Sequence, residues 1–316
     1  MSSVLTFTVN PCIDLNLEVD RLREGGKNRA RLRRATGGGG GINVARGVVR
    51  LGGSATALHT AGGDVGRRLN RLLDQARLDH RPIEVGGETR EAVVLIETCS
   101  GRSFHVVPPG PTLDERDGRR CLDVLAKAAG AYPYVVVSGS LPHGLPGRFY
   151  ADAAARVKAA GSRLVLDTSG VGLVEALGEG AFLVRLNRRE AAGLVGRSIE
   201  DFDDARAVND RLLGMGAVEV CVTTVGARGA LCSTRHGHTE IHAPPLPSEP
   251  LSDVGAGDSL VAGLTLRLAE GDDLVEACAH AVAVAAATVL TPGSDLFDPA
   301  TVAALRPQVR TRRVRP

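Results

Sequence analysis

The 316-residue sequence predicts an α/β fold: a doubly wound, mostly parallel sheet with helices on both faces, carrying a small β-sheet lid. Three observations carry this. Short all-apolar runs such as "YVVVSGS" (134–140) and "VEVCVTT" (218–224) read as strands buried on both sides. They alternate with longer helical patterns, the order of strand–helix–strand units that build a parallel sheet. Two stretches, 15–34 and 82–107, break this rhythm with strand-like alternation and no helix between, as in "RARLRRA" and "TREAVVLIETCSGRSFHVV".

In chain order, "VLTFTVN" (4–10) is a strand and "GINVARGVVRLGG" (41–53) a helix with Val44, Val48 and Leu51 on one side, stopped by glycine. "GDVGRRLNRLLDQARL" (63–78) is a second helix. Strand 134–140, helix "RFYADAAARVKAAG" (148–161) and strand "RLVLDTSG" (163–170) follow. "FLVRLN" (182–187) is a strand leading into the helix "RREAAGLVG" (188–196). After strand 218–224 come the turn "VGARGA" (225–230) and two helices, "GAGDSLVAGLTLRLAEG" (255–271) and "DDLVEACAHAVAVAAATVL" (272–290). The core fold takes residues 1–14, 35–81 and 108–316. The interruptions 15–34 and 82–107 form the lid, which has one face to bury and edges to protect. "APPLPSEP" (243–250) is a local Pro-rich connection.

Hydrophobic residues make up 43% and charged residues 23%, an ordinary globular balance. Aromatics are only 3%, with no Trp, so Ala, Val and Leu must build the core. A net charge of +2 gives no global attraction to nucleic acid or membrane. The basic run "KNRARLRR" and the basic tail "RPQVRTRRVRP" lack the interleaved aromatics of a base-stacking surface, and the tail is expected to be solvated and loose. Six cysteines, at 12, 99, 121, 221, 232 and 278, form no CxxC pair. Neither a zinc site nor a disulfide framework is indicated, and reduced thiols suit a cytoplasmic protein. The N-terminus lacks a signal-peptide pattern, and "ACAHAVAVAAATVL" is too short for a membrane span and carries His280. His236, His238 and His242 are expected on a solvated hairpin rather than around a metal.

Five stretches carry residue types suited to chemistry. "ATGGGGGINVARG" (35–47) matches neither the P-loop nor the dinucleotide fingerprint, and its patterned flanks argue against a linker. Glycine count alone leaves two readings open, a tight turn or bare backbone set against a ligand. In "SDVGAGDSLVAGL" (252–264), Gly255, Ala256 and Gly257 precede an apolar helix whose first turn holds Asp258. Free N–H groups there make an anion cradle, and their field favours an ionised Asp258, a base suited to phosphoryl transfer. In "NRRE", Asn187 and Glu190 are three apart, on one helix face, and suit Mg²⁺ held through water. In "TVGARGA", Thr224, Gly226 and Gly229 form a turn able to touch a nucleotide, though taken alone a plain hairpin accounts for it better. "NPCID" sets Asp14 after the first strand, where ligands of α/β sheets bind, and Lys27 and Arg90 in the lid can meet a phosphate.

Together, "GGGGGINVARGVVRLGG", "SGSLPHGLP", "DTSG", "NRRE", "TTVGARGAL" and "VGAGDSLVAG" resemble, in order and over nearly the whole chain, the ribokinase-like sugar kinases of the PfkB family. Within it the sequence is most similar to the phosphosugar kinases: ribokinase-like 6-phosphofructokinase, 1-phosphofructokinase and tagatose-6-phosphate kinase. The resemblance implies a ribokinase-like fold whose inserted sheet closes the site and forms a homodimer interface. It implies Asp258 as the base, with the N–H groups of Gly255, Ala256 and Gly257 holding developing charge. Asn187 and Glu190 would organise Mg²⁺-ATP, with Arg185, Thr224, Gly226 and Gly229 at the nucleotide. Asp14, Gly39, Gly40 and Asn43 would hold the sugar, and Lys27, Arg90 and Ser140 its phosphate or nearby oxygens. Ser252, Val254, Thr291 and Gly293 occupy the region where some members bind a monovalent cation, which admits K⁺.

Relatives acting on fructose 1-phosphate or tagatose 6-phosphate typically carry Lys inside the glycine loop. The all-glycine loop here is similar to that of the 6-phosphofructokinases and points to fructose 6-phosphate. Three departures stand out. His105 occupies a position where Arg is usual, "VRLN" replaces the common "VKPN", and Asp253 does not discriminate among relatives. A partly charged His105 would make phosphate binding weaker or pH-dependent. The alternatives are a kinase for another sugar or nucleoside, and a catalytically weak sugar-phosphate or nucleotide sensor.

Overall fold

A computed structural model describes residues 4–314 of the chain. The first strand, β1 (Val4–Thr8), sends Val4 to one apolar core and Leu5 and Phe7 to the other, as strand alternation requires. There follow β2 (Cys12–Val19), β3 (Arg31–Gly38), α1 (Gly40–Arg50), β4 (Ala55–Ala61), α2 (Gly63–Gln75) and β5 (Asp79–Glu84). Next come β6 (Arg90–Glu97), β7 (Ser103–Val106), α3 (Glu115–Ala129), β8 (Tyr134–Ser138), α4 (Phe149–Ala159) and β9 (Arg163–Asp167). Then come α5 (Gly170–Glu179), β10 (Ala181–Leu186), α6 (Arg188–Val195), α7 (Phe202–Gly214) and β11 (Val218–Thr224). The chain closes with β12 (Gly229–Thr234), β13 (Gly237–His242), α8 (Ala256–Glu270), α9 (Leu274–Thr288), α10 (Pro299–Leu305) and β14 (Arg310–Val314).

Among the described residues, ten strands form one sheet in the order β14-β13-β12-β11-β10-β9-β8-β1-β4-β5, and four form a second, β3-β2-β6-β7. From β11 across to β5 all neighbours are parallel, and β12, β13 and β14 add an antiparallel edge. Helices α1, α2, α8, α9 and α10 bury their apolar residues against one face of the large sheet, and α3, α4, α5, α6 and α7 against the other. This is the predicted doubly wound architecture with its small second sheet. The connections run to opposite sides from β1 and β8, so a crevice opens at the carboxyl ends of these neighbours.

Several expected strands end early for a shared reason. β8 stops at Ser138 and β9 at Asp167, because Ser140 and Thr168 beyond them turn into that crevice. Residues 82–84, assigned from sequence to the lid, instead end β5 at the edge of the large sheet. Asp14, assigned to the core fold, stands within β2 of the small sheet. The basic tail is not loose through Val314. β14 pairs with β13, and Arg312 donates from Nε and Nη2 to the buried Glu240 carboxylate at 2.8 and 2.7 Å. His238 is not solvated either: its ring nitrogens meet Ser233 Oγ at 2.9 Å and the Asp210 carboxylate at 3.3 Å. Among the described residues no helix is long and apolar enough to cross a membrane.

Candidate active site

The glycine run joins the end of β3 to the start of α1. Gly39 caps the helix with φ of 103°, a conformation closed to most side chains. A Cβ on Gly38 would strike the Asp14 carboxylate, one on Gly40 the Ser138 hydroxyl, and one on Gly41 the Thr8 hydroxyl. Packing of protein on protein therefore demands the run, and Gly39 and Gly40 also present bare backbone to the crevice.

The crevice is a cleft of about 430 Å³ roofed by the small sheet. Asp14, Gly39, Gly40, Asn43, Arg90, Ser140, Arg185, Glu190, Val254, Gly255 and Asp258 all line it. Asp258 enters from the first turn of α8, behind Gly255 in the left-handed conformation. Its Oδ2 accepts a hydrogen bond from Asn43 Nδ2 at 2.8 Å. Arg46 orients that amide, donating from Nη1 to Asn43 Oδ1 at 3.3 Å and to the carbonyl of Gly37 at 2.9 Å.

The field at Asp258 differs from the expected one. Desolvation at the base of the cleft, reinforced by the nearby Asp167 carboxylate, pushes its pKa up to about 7. The Asn43 hydrogen bond and Arg185 oppose this. The helix start does not keep Asp258 fully ionised. It leaves a carboxyl poised near neutral pH, which suits a general base.

Two guanidinium groups frame the same space. Arg90 is anchored by donating to the carbonyls of Asn10 at 2.9 Å and Pro108 at 3.2 Å. Arg185 pairs with Asp167 at 3.3 Å and reaches Thr224 Oγ1 at 3.4 Å. Each retains a buried Nε with no hydrogen-bond partner among the described residues. Buried donors of this kind are normally satisfied, so the cleft is suited to two anionic groups.

The match to known proteins decides the family. The description "pfkB family carbohydrate kinase" fits residues 7–301. The chain belongs to the pfkB family of carbohydrate kinases. This kinase is 38% identical over 291 residues to the ATP-dependent 6-phosphofructokinase isozyme 2 of Mycobacterium tuberculosis, covering 92% of this chain and 85% of that protein. It is 34% identical over 281 residues to a 1-phosphofructokinase of Xanthomonas campestris, with 87% of each covered. The phosphofructokinase-2 of Escherichia coli superposes on it in a complex with potassium, with a TM-score of 0.91 at 32% identity. In a complex with fructose-6-phosphate the TM-score is 0.89 at 31% identity, and both matches cover 97% of this chain and 99% of the other.

Other expected site residues of the pfkB kinase lie elsewhere. Lys27 sits exposed in the loop between β2 and β3 and does not line the cleft of its own chain. Asn187 is the N-cap of α6: its Oδ1 accepts from the Glu190 N–H, and Glu190 Oε2 accepts from the Asn187 N–H, both at 2.8 Å. It is thus a capping residue rather than a surface partner of Glu190, and Glu190 alone reaches the cleft. The Ala256 N–H is committed to the Asp253 carbonyl, and Arg185 packs where a Gly257 side chain would stand. Thr224 accepts from Arg185, Gly226 lies near Arg188, and neither they nor Gly229 line the cleft; Gly229 is required because a Cβ would strike the Ile241 carbonyl. Ser252 and Thr291 spend their hydroxyls on the Val254 N–H and on the carbonyls of Thr288 and Asp295. Gly293 lies against Asn16 of the small sheet.

The sequence reading passed over Asp167, Asn10, Arg46 and Ser138. Asp167 accepts from Ser138 Oγ at 3.1 Å and from Arg185, so both its oxygens are held. Its position as the last residue of an apolar strand was the available signal.

Proposed function

We propose that this kinase transfers the γ-phosphoryl group of ATP to the 1-hydroxyl of fructose 6-phosphate, giving fructose 1,6-bisphosphate and ADP. The observation that carries the reading is the pairing of Arg90 and Arg185, each with an unpartnered Nε, in the one cleft that holds Asp258. One guanidinium suits the phosphate of a phosphorylated acceptor, the other the phosphates of the donor. The named relatives support fructose 6-phosphate in particular, as does the all-glycine loop. The Xanthomonas relative favours one alternative, phosphorylation of fructose 1-phosphate. Tagatose 6-phosphate is a further alternative acceptor.

In the proposed mechanism Asp258 takes the hydroxyl proton as the sugar oxygen forms its bond to the γ-phosphorus and the bond to ADP breaks. Asn43 holds the carboxylate toward the hydroxyl. The free N–H groups of Gly255 and Gly257 at the start of α8, with Arg185, offset the charge that develops. Asp14, Gly39 and Gly40 hold the sugar, and Arg90 and Ser140 its phosphate side. Thr224, Gly226 and Gly229 border the nucleotide, and closure of the lid excludes water.

Mg²⁺ fits the donor set, because Glu190 faces the cleft with one oxygen outside the capping box and Asp167 stands beside it. Held there through water, it would supply positive charge at the transferring phosphoryl group. With the Ser252 and Thr291 hydroxyls already engaged, a K⁺ ion would be left the main-chain carbonyls of the loops holding Ser252, Val254, Thr291 and Gly293. The free cysteines agree with a cytoplasmic location, and the apolar outer face of the lid supports a homodimer.

The test is ADP release from Mg-ATP with fructose 6-phosphate, fructose 1-phosphate and tagatose 6-phosphate side by side. Fast turnover with fructose 6-phosphate that vanishes in Asp258→Asn is expected. Preference for another phosphosugar would overturn the acceptor, and turnover unaffected by Asp258→Asn would overturn the base.

A further inference from the structure

Cys12 and Asp14 are two apart on β2 and therefore share the strand face turned to the cleft, which both line. Both are nearly buried, at 5% and 6% exposure. The Cys12 thiol donates to Asp14 Oδ1 at 3.1 Å, a short contact for sulfur. Across the ladder Cys12 faces Gly38 on β3 and Arg90 on β6. The missing side chain of Gly38 makes room for the Asp14 carboxylate. The carboxylate is thus fixed from two sides, by bare backbone and by the thiol. No protein donor reaches its Oδ2 among the described residues. A carboxylate this buried ordinarily has both oxygens satisfied, so the open one points to a ligand.

We infer that Cys12 is a positioning residue for acceptor recognition: by occupying Oδ1 of Asp14, its thiol reserves Oδ2 for a hydroxyl of the sugar. The inference rests on the reading of Asp14 as the sugar-binding carboxylate. Ionising the thiol would place a second negative charge beside Asp14 and in the field of Asp258. Burial, with Asp14 next, accordingly pushes the thiol pKa well above its ordinary range, against the pull of Arg90. The proton stays on sulfur, and the donor persists throughout the working range of the enzyme. A thiol is a weak donor, so it orients the carboxylate without drawing off much of its charge. Oδ2 remains a strong acceptor.

The competing account is that Cys12 is a small apolar filler. Cys12→Ala removes the donor, and Cys12→Ser keeps it in a smaller group. If the thiol positions Asp14, Cys12→Ala raises the KM for fructose 6-phosphate about fivefold, the worth of one hydrogen bond, with kcat and the KM for ATP within about twofold. Cys12→Ser then stays close to the wild type. An unchanged KM in Cys12→Ala, or an equal rise in both variants, would overturn the inference. A second readout needs no turnover. The S–H stretching band isolated as the infrared difference between wild type and Cys12→Ser is expected at the low frequency of a hydrogen-bonded thiol. It should move up in Asp14→Ala, and a band indifferent to Asp14→Ala would also overturn the inference. Wild type inactive on every phosphosugar would instead defeat the kinase reading, while the infrared band still decides whether thiol and carboxylate are joined.

Discussion

As the proposed base, Asp258 would concentrate the chemistry of the cleft in one titration. With its pKa near 7, turnover should fall below neutral pH, about tenfold per unit, because the protonated carboxyl cannot accept the sugar proton. Asn43→Ala removes a hydrogen bond that stabilises the carboxylate, so its acid limb is expected at higher pH than that of the wild type. Stability gives an independent check. A carboxyl whose pKa is raised on folding holds its proton more tightly in the folded chain. It therefore costs stability progressively as pH rises from the ordinary carboxylate range through 7. Asp258→Asn should thus melt above the wild type at pH 8 and level with it at pH 4, while losing at least about 10²-fold in turnover. A pH–rate profile flat from 6 to 8 would contradict the assignment. The residue itself was legible in sequence from its place behind two glycines. Its protonation was not, because Asp167 and the depth of the cleft are supplied by distant segments. The place of Lys27, exposed and outside the cleft of its own chain, was hidden for the same kind of reason: a basic residue in a lid segment says nothing about which way its loop turns.

At the scale of elements, local signals were read well and edge pairings poorly. The helix after the glycine run has Val44 and Val48 in the core and Leu51 packed against it, as its periodicity indicates. The "NRRE" stretch, taken from sequence as a pair suited to Mg²⁺, also forms a capping box, a purely local signature that the sequence analysis passed over. β14 was invisible, because "RTRRV" shows no apolar alternation and its partner β13 lies far upstream. Besides its backbone ladder with β13, β14 is tied by the ion pair between Arg312 and the buried Glu240, which also meets His242 at 3.0 Å. The hydrogen bond from Arg312 lowers the Glu240 pKa, so this contribution exists above the ordinary carboxylate range and is lost as pH falls through it. Arg312→Ala should lower the melting temperature at pH 7, and the difference should close on acidification toward pH 3. A constant difference across that range would mean that the strand is held by its backbone ladder alone.

For the whole molecule, the small sheet has two faces with different work. The face carrying Cys12, Asp14, Arg90, Ala92 and His105 looks into the cleft. The opposite face is apolar in two rows set by strand register. Leu32, Leu17, Leu95 and Phe104 lie side by side across the four strands, as do Ala35, Leu15, Val93 and Val106. Near the root, Leu15 and Ala35 pack against the core, but Leu32, Phe104 and Val106 remain 52%, 37% and 60% exposed. Alternation along each strand was visible in sequence. The rows were not, because they arise only when separate segments pair in one register. Scattered apolar residues on a surface need no explanation, but contiguous rows on a sheet face call for cover. α2 packs mainly beside β2 and β3 and reaches β6 through the Arg68–Glu91 ion pair, and the exposed far rows are where we propose that a second copy of the chain sits. Two such faces can meet about a twofold axis, since the same patch serves both sides of the contact. Sedimentation of the wild type should therefore give a dimer or a multiple of it. Leu32→Asp combined with Val106→Asp should give a folded monomer, because both side chains are already exposed within one chain and their replacement removes no core contact. A monomeric wild type, or a double variant that still self-associates, would remove the lid face as the interface and leave its apolar rows to some other partner.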